Sequence, residues 1–560
     1  MTPEQFFAEF AHIADAPNGV QKLRELILQL AVRGKLVPQD PTDEPAAKLL
    51  ERIQAEKAKL VKEKKIRNSE PLPPINEDEI PYDLPGGWQW ARLGEIANIS
   101  TGYAFKSPDY VSDGVFVLRV TNIQPDGVIN KQEAVFFPKS KIDDRINTYY
   151  LNKDDLLVVM VGGSLGKVGT VTENILPALL NQNMWRITPL KPELPFQYLR
   201  LCLRYINNYQ LKITHSTHGH LAMGEYQLQV VGIPSANEQH RIMAKVDQLM
   251  ALCDELEAKQ VRKQQKLTRL NNAAIDRLLT SHEQAEFSEA WGLVRDNFDL
   301  IYTTPDTISK LRQAILQLAV QGKLVPQDPS DEPASALLAR IKAEKERLVK
   351  EKKIRKSDPL PPVSANEAPY ELPPGWEWVR FVDIANIASN LVKTEPYLDF
   401  PHVAPDNIEK FTGKLLPYRT VREDGVMSGK HLFFKGQILY SKIRPNLSKV
   451  TIVDFDGLCS ADMYPIDAYI SPLYLMHYML SSTFLDMAVK KDTRVAMPKI
   501  NQEELNRIIV PVCPLAEQHR IVAKVGRLMV LCDEIESRMT KTQGKAEKLA
   551  SAAVQGLLAA

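Results

Sequence analysis

The residues that could do chemistry fall in a few short runs. GGSLGKV at 162–168 has the glycines and lysine of a phosphate-cradling loop. Its spacing fails, because three residues rather than four separate Gly162 from Gly166, and Val168 stands where a hydroxyl should hold magnesium. HSTHGH at 215–220 could suggest a metal, but no acidic partner motif accompanies it, so it reads as a surface or DNA-facing loop. Five cysteines, Cys202, Cys253, Cys459, Cys513 and Cys532, form no C-x-x-C pair. That spacing argues against a disulfide framework or a thiolate zinc site and favours a reducing cytoplasm. There is no G-x-S-x-G elbow and no H-E-x-x-H helix, so no catalytic triad can be assigned.

What remains is a set of polar and basic residues in glycine- and proline-rich turns. In one stretch these are Lys106, Arg119, Thr121, Asn122, Ser164, Lys167, His218 and His220. In another they are Lys393, Arg419, Lys442, Arg444, Asn446, Lys449, Arg494 and Lys499. Such side chains can address base edges or phosphates from a loop. Taken singly, each is equally a solvated turn residue; the clustering points to DNA. Arg444 stands apart, because Pro445 stiffens the backbone after it and arginine can donate two parallel hydrogen bonds to guanine. Lys442 and Lys449 suit phosphate better.

The elements that must position these turns are duplicated. Residues 22–99 and 310–387 share 54 of 78 positions without a gap, at a constant offset of 288. Similarity then stops. It returns where VGIPSANEQHRIMAKVDQLMALCDELEA, from Val231, matches VPVCPLAEQHRIVAKVGRLMVLCDEIES, from Val510. The chain therefore reads scaffold, insert, scaffold, insert, scaffold: one framework presenting two different surfaces.

The scaffold is helical. Leu23, Ile27, Leu30 and Ala31 form a stripe broken by Gly34, Pro38 and Pro41, and a second helix is expected from about Glu44 to Arg67. Its basic end, KAKLVKEKKIR, reads first as a solvated face. PLPPINEDEIPYDLPGGW and PLPPVSANEAPYELPPGW read as stiff extended linkers into each insert. From Glu238 a heptad seam runs through Ile242, Val246, Leu249, Cys253 and Leu256, crosses Gln260 and Lys263, and resumes at Leu267, Leu270 and Ala274. Its copy runs Ile521, Val525, Leu528, Cys532, Ile535, Met539, Thr542, Ala546, Leu549 and Ala553. Cys253 and Cys532 are then small core fillers. Ser235 and Glu238 predict a capping box. Two such seams can pair as an antiparallel coiled coil. The inserts differ in texture, with strand-like GVFVLRVTNI and DDLLVVMVGGSLGKVGTV in the first and HLFFKGQILYSKIRPNLSKVTIVDF in the second.

At 560 residues, 44% hydrophobic and 25% charged, the chain has the composition of a soluble, multidomain protein. No run approaches the ~18 apolar residues of a membrane span, and MTPEQFFAEF lacks the features of a signal peptide. The net charge of +1 does not exclude nucleic acid, which responds to local clustering.

IPYDLPGGWQWARLGEIANI opening an insert, P-x-x-x-EQHRI and a long D-E-[LI]-E helix closing it, and the segments LLVVMVGGSLGKVGTV, ILYSKIRPNLSKV and MPKINQEELNRIIVPV resemble type I restriction-modification specificity subunits. The first insert departs from the pattern, ending in GHLAMGEYQLQVVGIP. The resemblance implies an α+β chain: two mixed α/β target recognition domains separated by long helices that form an antiparallel coiled coil. Its expected parts are a helical region (1–70), proline-rich linker and entry strand (71–99), first recognition domain (100–235) and central coiled-coil helix (236–285). A repeated helical region (286–358), second linker and strand (359–387), second recognition domain (388–513) and C-terminal coiled-coil helix (514–560) follow.

The resemblance further implies a non-catalytic cytoplasmic subunit that binds an asymmetric bipartite site in double-stranded DNA and no membrane. Its partners would be two modification subunits and, through them, restriction subunits, on which S-adenosylmethionine, ATP and magnesium act. Consistently, the chain has no [DNS]-P-P-[YFW] adenine-methylase motif. Antiparallel scaffold copies would relate the inserts by an approximate two-fold, with half-sites about one DNA turn, ~34 Å, apart. A coiled-coil adaptor whose inserts bind protein, or an unrecognised nuclease or methylase, are the competing readings.

Overall fold

The computed structural model describes residues 13–66, 70–191, 193–211, 221–281, 283–489 and 498–559. The chain divides into two compact units, residues 1–261 with 543–560, and residues 262–542. Each combines a scaffold copy with an insert, so the helical regions are not separate domains but part of the same core as the recognition domains. In the first unit Leu23, Ile27 and Ala31 share a cluster with Tyr198, Leu199 and Tyr205 of the insert. In the second, Ile315 and Ala319 share one with Tyr474, Tyr478 and Leu480.

The scaffold helices Gly19–Val32 and Ala46–Lys62 recur as Pro305–Val320 and Ala334–Lys350. The second of each pair ends a turn before the sequence pattern predicts, at Lys62 rather than Arg67. Gly34, at φ +69°, turns the chain between the first two helices, where an added Cβ would sit 2.4 Å from the Pro85 ring. Gly322 does the same beneath Pro373. Only glycine satisfies both the left-handed backbone and the close approach.

The long helices are Ala236–Thr280 and Leu515–Ala559. Ser235 Oγ accepts the Glu238 amide at 3.0 Å, which is half of the expected capping box. The other half is absent, because the Glu238 carboxylate turns inward. It accepts from Trp88 Nε1 at 3.0 Å and Gln39 Nε2 at 2.7 Å. Glu517 accepts from Trp376 at 3.0 Å and Gln327 at 3.2 Å, although Pro514 replaces the capping serine. Burial pushes the pKa of both carboxyls up. Arg241 pairs with Asp43 and Arg520 with Asp331, closing the same corner in each unit.

The proline-rich stretches are straps rather than free linkers. Arg92, 2% exposed, donates to the carbonyls of Pro73, Pro74 and Leu228 and pairs with Glu79 at 2.6 Å. That pair holds the Glu79 carboxyl down, to about 2. Arg380 repeats the arrangement with Pro361, Arg507 and Glu367. Each strap leads into a two-stranded antiparallel gate that joins the start of an insert to its end: Gln89–Arg92 with Val230–Ile233, and Glu377–Arg380 with Ile509–Val512.

Despite their unlike sequences, the inserts hold the same antiparallel four-stranded sheet. In the first its order is Ala97–Thr101, Met184–Pro189, Leu156–Val159, Val168–Thr170; in the second, Ala385–Ile387, Met463–Ala468, Ile438–Ser441, Val450–Ile452. Beside it the first insert has a three-stranded sheet and the second a five-stranded one. Among the described residues no helix is long and apolar enough to cross a membrane.

The seam packs mostly as its heptads predict. Ile242, Val246, Leu249 and Cys253 are buried in the first unit, and Ile521, Val525 and Cys532 in the second. Opposite ends of the two helices share each core: Ala546, Ala550 and Val554 join Cys253 in the first unit, while Leu270, Ala274 and Leu278 join Cys532 in the second. This is the antiparallel order of the expected coiled coil. The C-terminal register differs from the expected one. Thr542 and Ala553 are exposed and Leu549 is 72% exposed, while Ala550 is 2% exposed. The helix there presents positions four apart, 546, 550 and 554, instead of alternating three and four.

That slip gives a paired prediction. Ala550→Asp buries an unpartnered charge and should cost about 3 kcal/mol or more, whereas Leu549→Asp should stay within about 0.5 kcal/mol. Thermal unfolding of the two variants side by side checks it; equal losses would restore the strict heptad.

Candidate nucleic-acid interface

In the second insert the turn 442–449 joins the strands Ile438–Ser441 and Val450–Ile452. Its backbone is fastened at several points. Arg444 N donates to Pro498 O at 2.8 Å, Ile500 N to Lys442 O at 2.9 Å, and Ser441 N to Lys449 O at 2.9 Å. Ser448, fully buried, donates from its hydroxyl to Met479 O. On this rigid base Arg444 and Asn446 are exposed. Neither side chain has a partner among the described residues.

The lysines around it are partly committed. Lys442 Nζ donates to Ala461 O at 2.7 Å and lies 5.5 Å from the Tyr464 ring centroid. Lys499 reaches Asp462 at 3.6 Å, and Lys442 approaches the same carboxylate at 3.9 Å. Lys449 does not point outward as a phosphate contact would. Its ammonium donates to Pro405 O at 2.7 Å and to Asp406 at 3.2 Å, clasping the turn to a neighbouring loop. Arg419 is exposed on the larger sheet of this insert, and Lys393 is exposed just after its strand Leu391–Val392. Arg494 lies outside the described residues.

The first insert places GGSLGKV in the equivalent turn. Val159 N donates to Lys167 O at 3.0 Å and Leu221 N to Met160 O at 3.0 Å, matching the fastenings of the second turn. Ser164 and Lys167 are half-buried there, and Lys106 and Thr121 are exposed. His218 and His220 lie outside the described residues.

Asn122 is a different kind of residue from the one expected. It is fully buried, with its side-chain oxygen accepting from Arg119 N at 3.0 Å and its amide donating to Gln132 O at 2.9 Å. The Arg119 guanidinium meanwhile donates to Glu133 O at 2.7 Å. Both residues hold the 130–133 loop against their own turn. Asn407 performs the same task in the second insert, accepting from Ala404 N and donating to Pro417 O. The Asn-Ile dipeptides at 122–123 and 407–408 were the available signal in the sequence. At these two positions the asparagine holds its own loop.

Comparison with known proteins decides what this frame belongs to. The family model of the type I restriction modification DNA specificity domain matches twice, over residues 85–267 and 373–542. Each match begins just before a strand gate and ends in a long helix. The chain belongs to the type I restriction-modification specificity family. The EcoAI specificity subunit of Escherichia coli is 33% identical over 92% of this chain and 90% of its own length. The EcoEI specificity subunit, also of Escherichia coli, is 33% identical over 96% and 94%. A crystal structure of the HsdS subunit from Thermoanaerobacter tengcongensis covers 85% of this chain and 98% of that one, at a TM-score of 0.40 and 16% identity. The family domain is thus present twice in this chain, once per unit, and the exposed turns described above are parts of it.

The staple and the exposed residues should separate experimentally. Asn122→Ala leaves buried backbone groups without partners and should cost about 1–3 kcal/mol, while Thr121→Ala next to it should be nearly neutral. Thermal unfolding measures the difference, and an unchanged melting temperature for Asn122→Ala would remove its structural role.

Proposed function

We propose that this chain reads an asymmetric, two-part target in double-stranded DNA, one part with each insert, and carries no catalytic centre of its own. In this reading it docks two modification subunits and, through them, restriction subunits. S-adenosylmethionine, ATP and magnesium act on those partners, in the cytoplasm. The observation that carries the reading is the repeated turn. One rigid strand-turn-strand device is offered twice on a duplicated frame of a DNA specificity family, with different side chains at its tip. Equivalent devices with different tips read different sequences, which makes the target asymmetric.

Two like partners fit the repeated exterior. The exposed pairs Arg52–Glu44 and Arg340–Glu332 are the same two-pronged contact, from the same helix to the residue ahead of its N-cap, in each scaffold copy. Surface ion pairs of this kind add little stability. Their exact repetition, beside the repeated run KEKK at 62–65 and 350–353, is what two identical docking surfaces would need.

Exchange of residues 100–230 for the insert of a related subunit, in cells that also carry the modification subunit, tests the reading. Methylome sequencing should show one half of the recognition sequence changed and the other retained. Change in both halves, or in neither, would refute separate readers; retention of partner complexes without any sequence-specific DNA binding would favour an adaptor that binds protein.

A further inference from the structure

The equivalent turns of the two inserts differ at the positions where the backbone is least tolerant. Both carry a positive φ at the same two positions, four residues apart. In the first insert these positions are Gly162, at φ 74°, and Gly166, at φ 79°. In the second they are Arg444, at φ 49°, and Ser448, at φ 45°. The register is otherwise the same, with Val158 opposite Val168 and Tyr440 opposite Val450. Leu165 N donates to Gly162 O at 3.0 Å as Leu447 N donates to Arg444 O at 2.9 Å.

Glycine is the residue this geometry asks for, since a Cβ in the left-handed region is strained. Ser448 has a local reason to be there, because its buried hydroxyl holds Met479 O. Among the described residues Arg444 has none. Its backbone amide would donate to Pro498 O whatever the side chain, and its guanidinium is exposed with no partner among the described residues. Pro445, itself buried, stiffens the backbone directly after Arg444. Strain that persists without a structural return is characteristic of a binding position.

We propose that the entry position of this turn is a specificity-determining position, occupied in the second insert by Arg444 and left silent in the first by Gly162. The inference rests on the reading of each insert as a DNA reader. The chemistry fits guanine, whose O6 and N7 accept the two parallel N–H groups of a guanidinium in the major groove. Around Gly162 an added Cβ would meet nothing within 4 Å, so the first insert has room for a side chain there and does not use it.

The test uses the full chain assembled with its modification subunits, with Arg444→Gly and Arg444→Ala as variants. Glycine removes both the guanidinium and the strain; alanine removes only the guanidinium. Both should lower discrimination at one base pair of the second half-site by about tenfold or more, in binding to a panel of single-base variants, with the first half-site unaffected. Arg444→Gly should also melt about 2 °C or more above Arg444→Ala, which shows that lost discrimination does not come from a damaged turn. An unchanged base profile, or equal weakening across every base variant as for a phosphate contact, would overturn the proposal. So would a glycine variant that melts below the alanine one. Exchange of the whole insert separates the two levels. If exchange redirects a half-site while Arg444→Gly leaves it intact, the reading of the inserts stands and the role of Arg444 falls. If exchange redirects nothing, the reading of the inserts itself fails.

Discussion

The structure depends on a buried carboxylate at the start of each long helix. Glu238 and Glu517 are 3% and 1% exposed, and each accepts from a tryptophan indole and a glutamine amide. An unpaired carboxylate in that position would be costly, and its raised pKa records the remaining penalty. What the contact achieves is convergence. The tryptophan stands at the strand gate, the glutamine follows the first scaffold helix, and the glutamate begins the long helix. Three stretches far apart in sequence are thereby fixed at one corner, with a neighbouring Arg–Asp pair beside it. Every element that carries an insert departs from that corner.

From such a corner an insert can vary widely without disturbing its support. The gate strands pair the beginning of the insert with its end, so whatever lies between must only return to the same place. The two inserts exploit this differently. Both keep the four-stranded sheet, whose central strands Leu156–Val159 and Ile438–Ser441 are buried throughout. Burial on both faces constrains these strands to apolar character and little else, which is why their sequences diverge while their topology does not. The adjoining sheets and the turn tips, where solvent is near, carry the differences.

The duplicated frame was legible in the sequence because identity at a fixed offset needs no structural interpretation, and the heptads located both long helices. Three features were not legible, each for a physical reason. Only half of the capping box forms, because the Glu238 carboxylate has a buried alternative, Trp88, that lies 150 residues away and is invisible to local pattern. The C-terminal seam slipped by one residue because small residues crowd ASAAV at 550–554, so burial falls where the neighbouring core lies and not where the largest apolar side chain is. The proline-rich stretches read as linkers because their composition forbids regular structure. Yet carbonyls with no ladder to join are good acceptors, and the buried Arg92 and Arg380 take them up.

The candidate site shows the same limit at the level of single residues. Residue type alone grouped Arg119, Asn122, Lys449 and Arg444 together, since all four can address DNA. The structure divides them by what their polar atoms already hold. Asn122, Arg119 and Lys449 are tied to backbone carbonyls of their own insert, so contact with DNA would first have to break bonds that keep loops in place. Arg444 has no such bond to break among the described residues, and its backbone is fixed before any ligand arrives. Pre-organisation of the backbone together with an uncommitted side chain lowers the cost of binding from both sides. On the proposed reading, a base contact is thus marked less by its charge than by the absence, among the described residues, of an internal use for it.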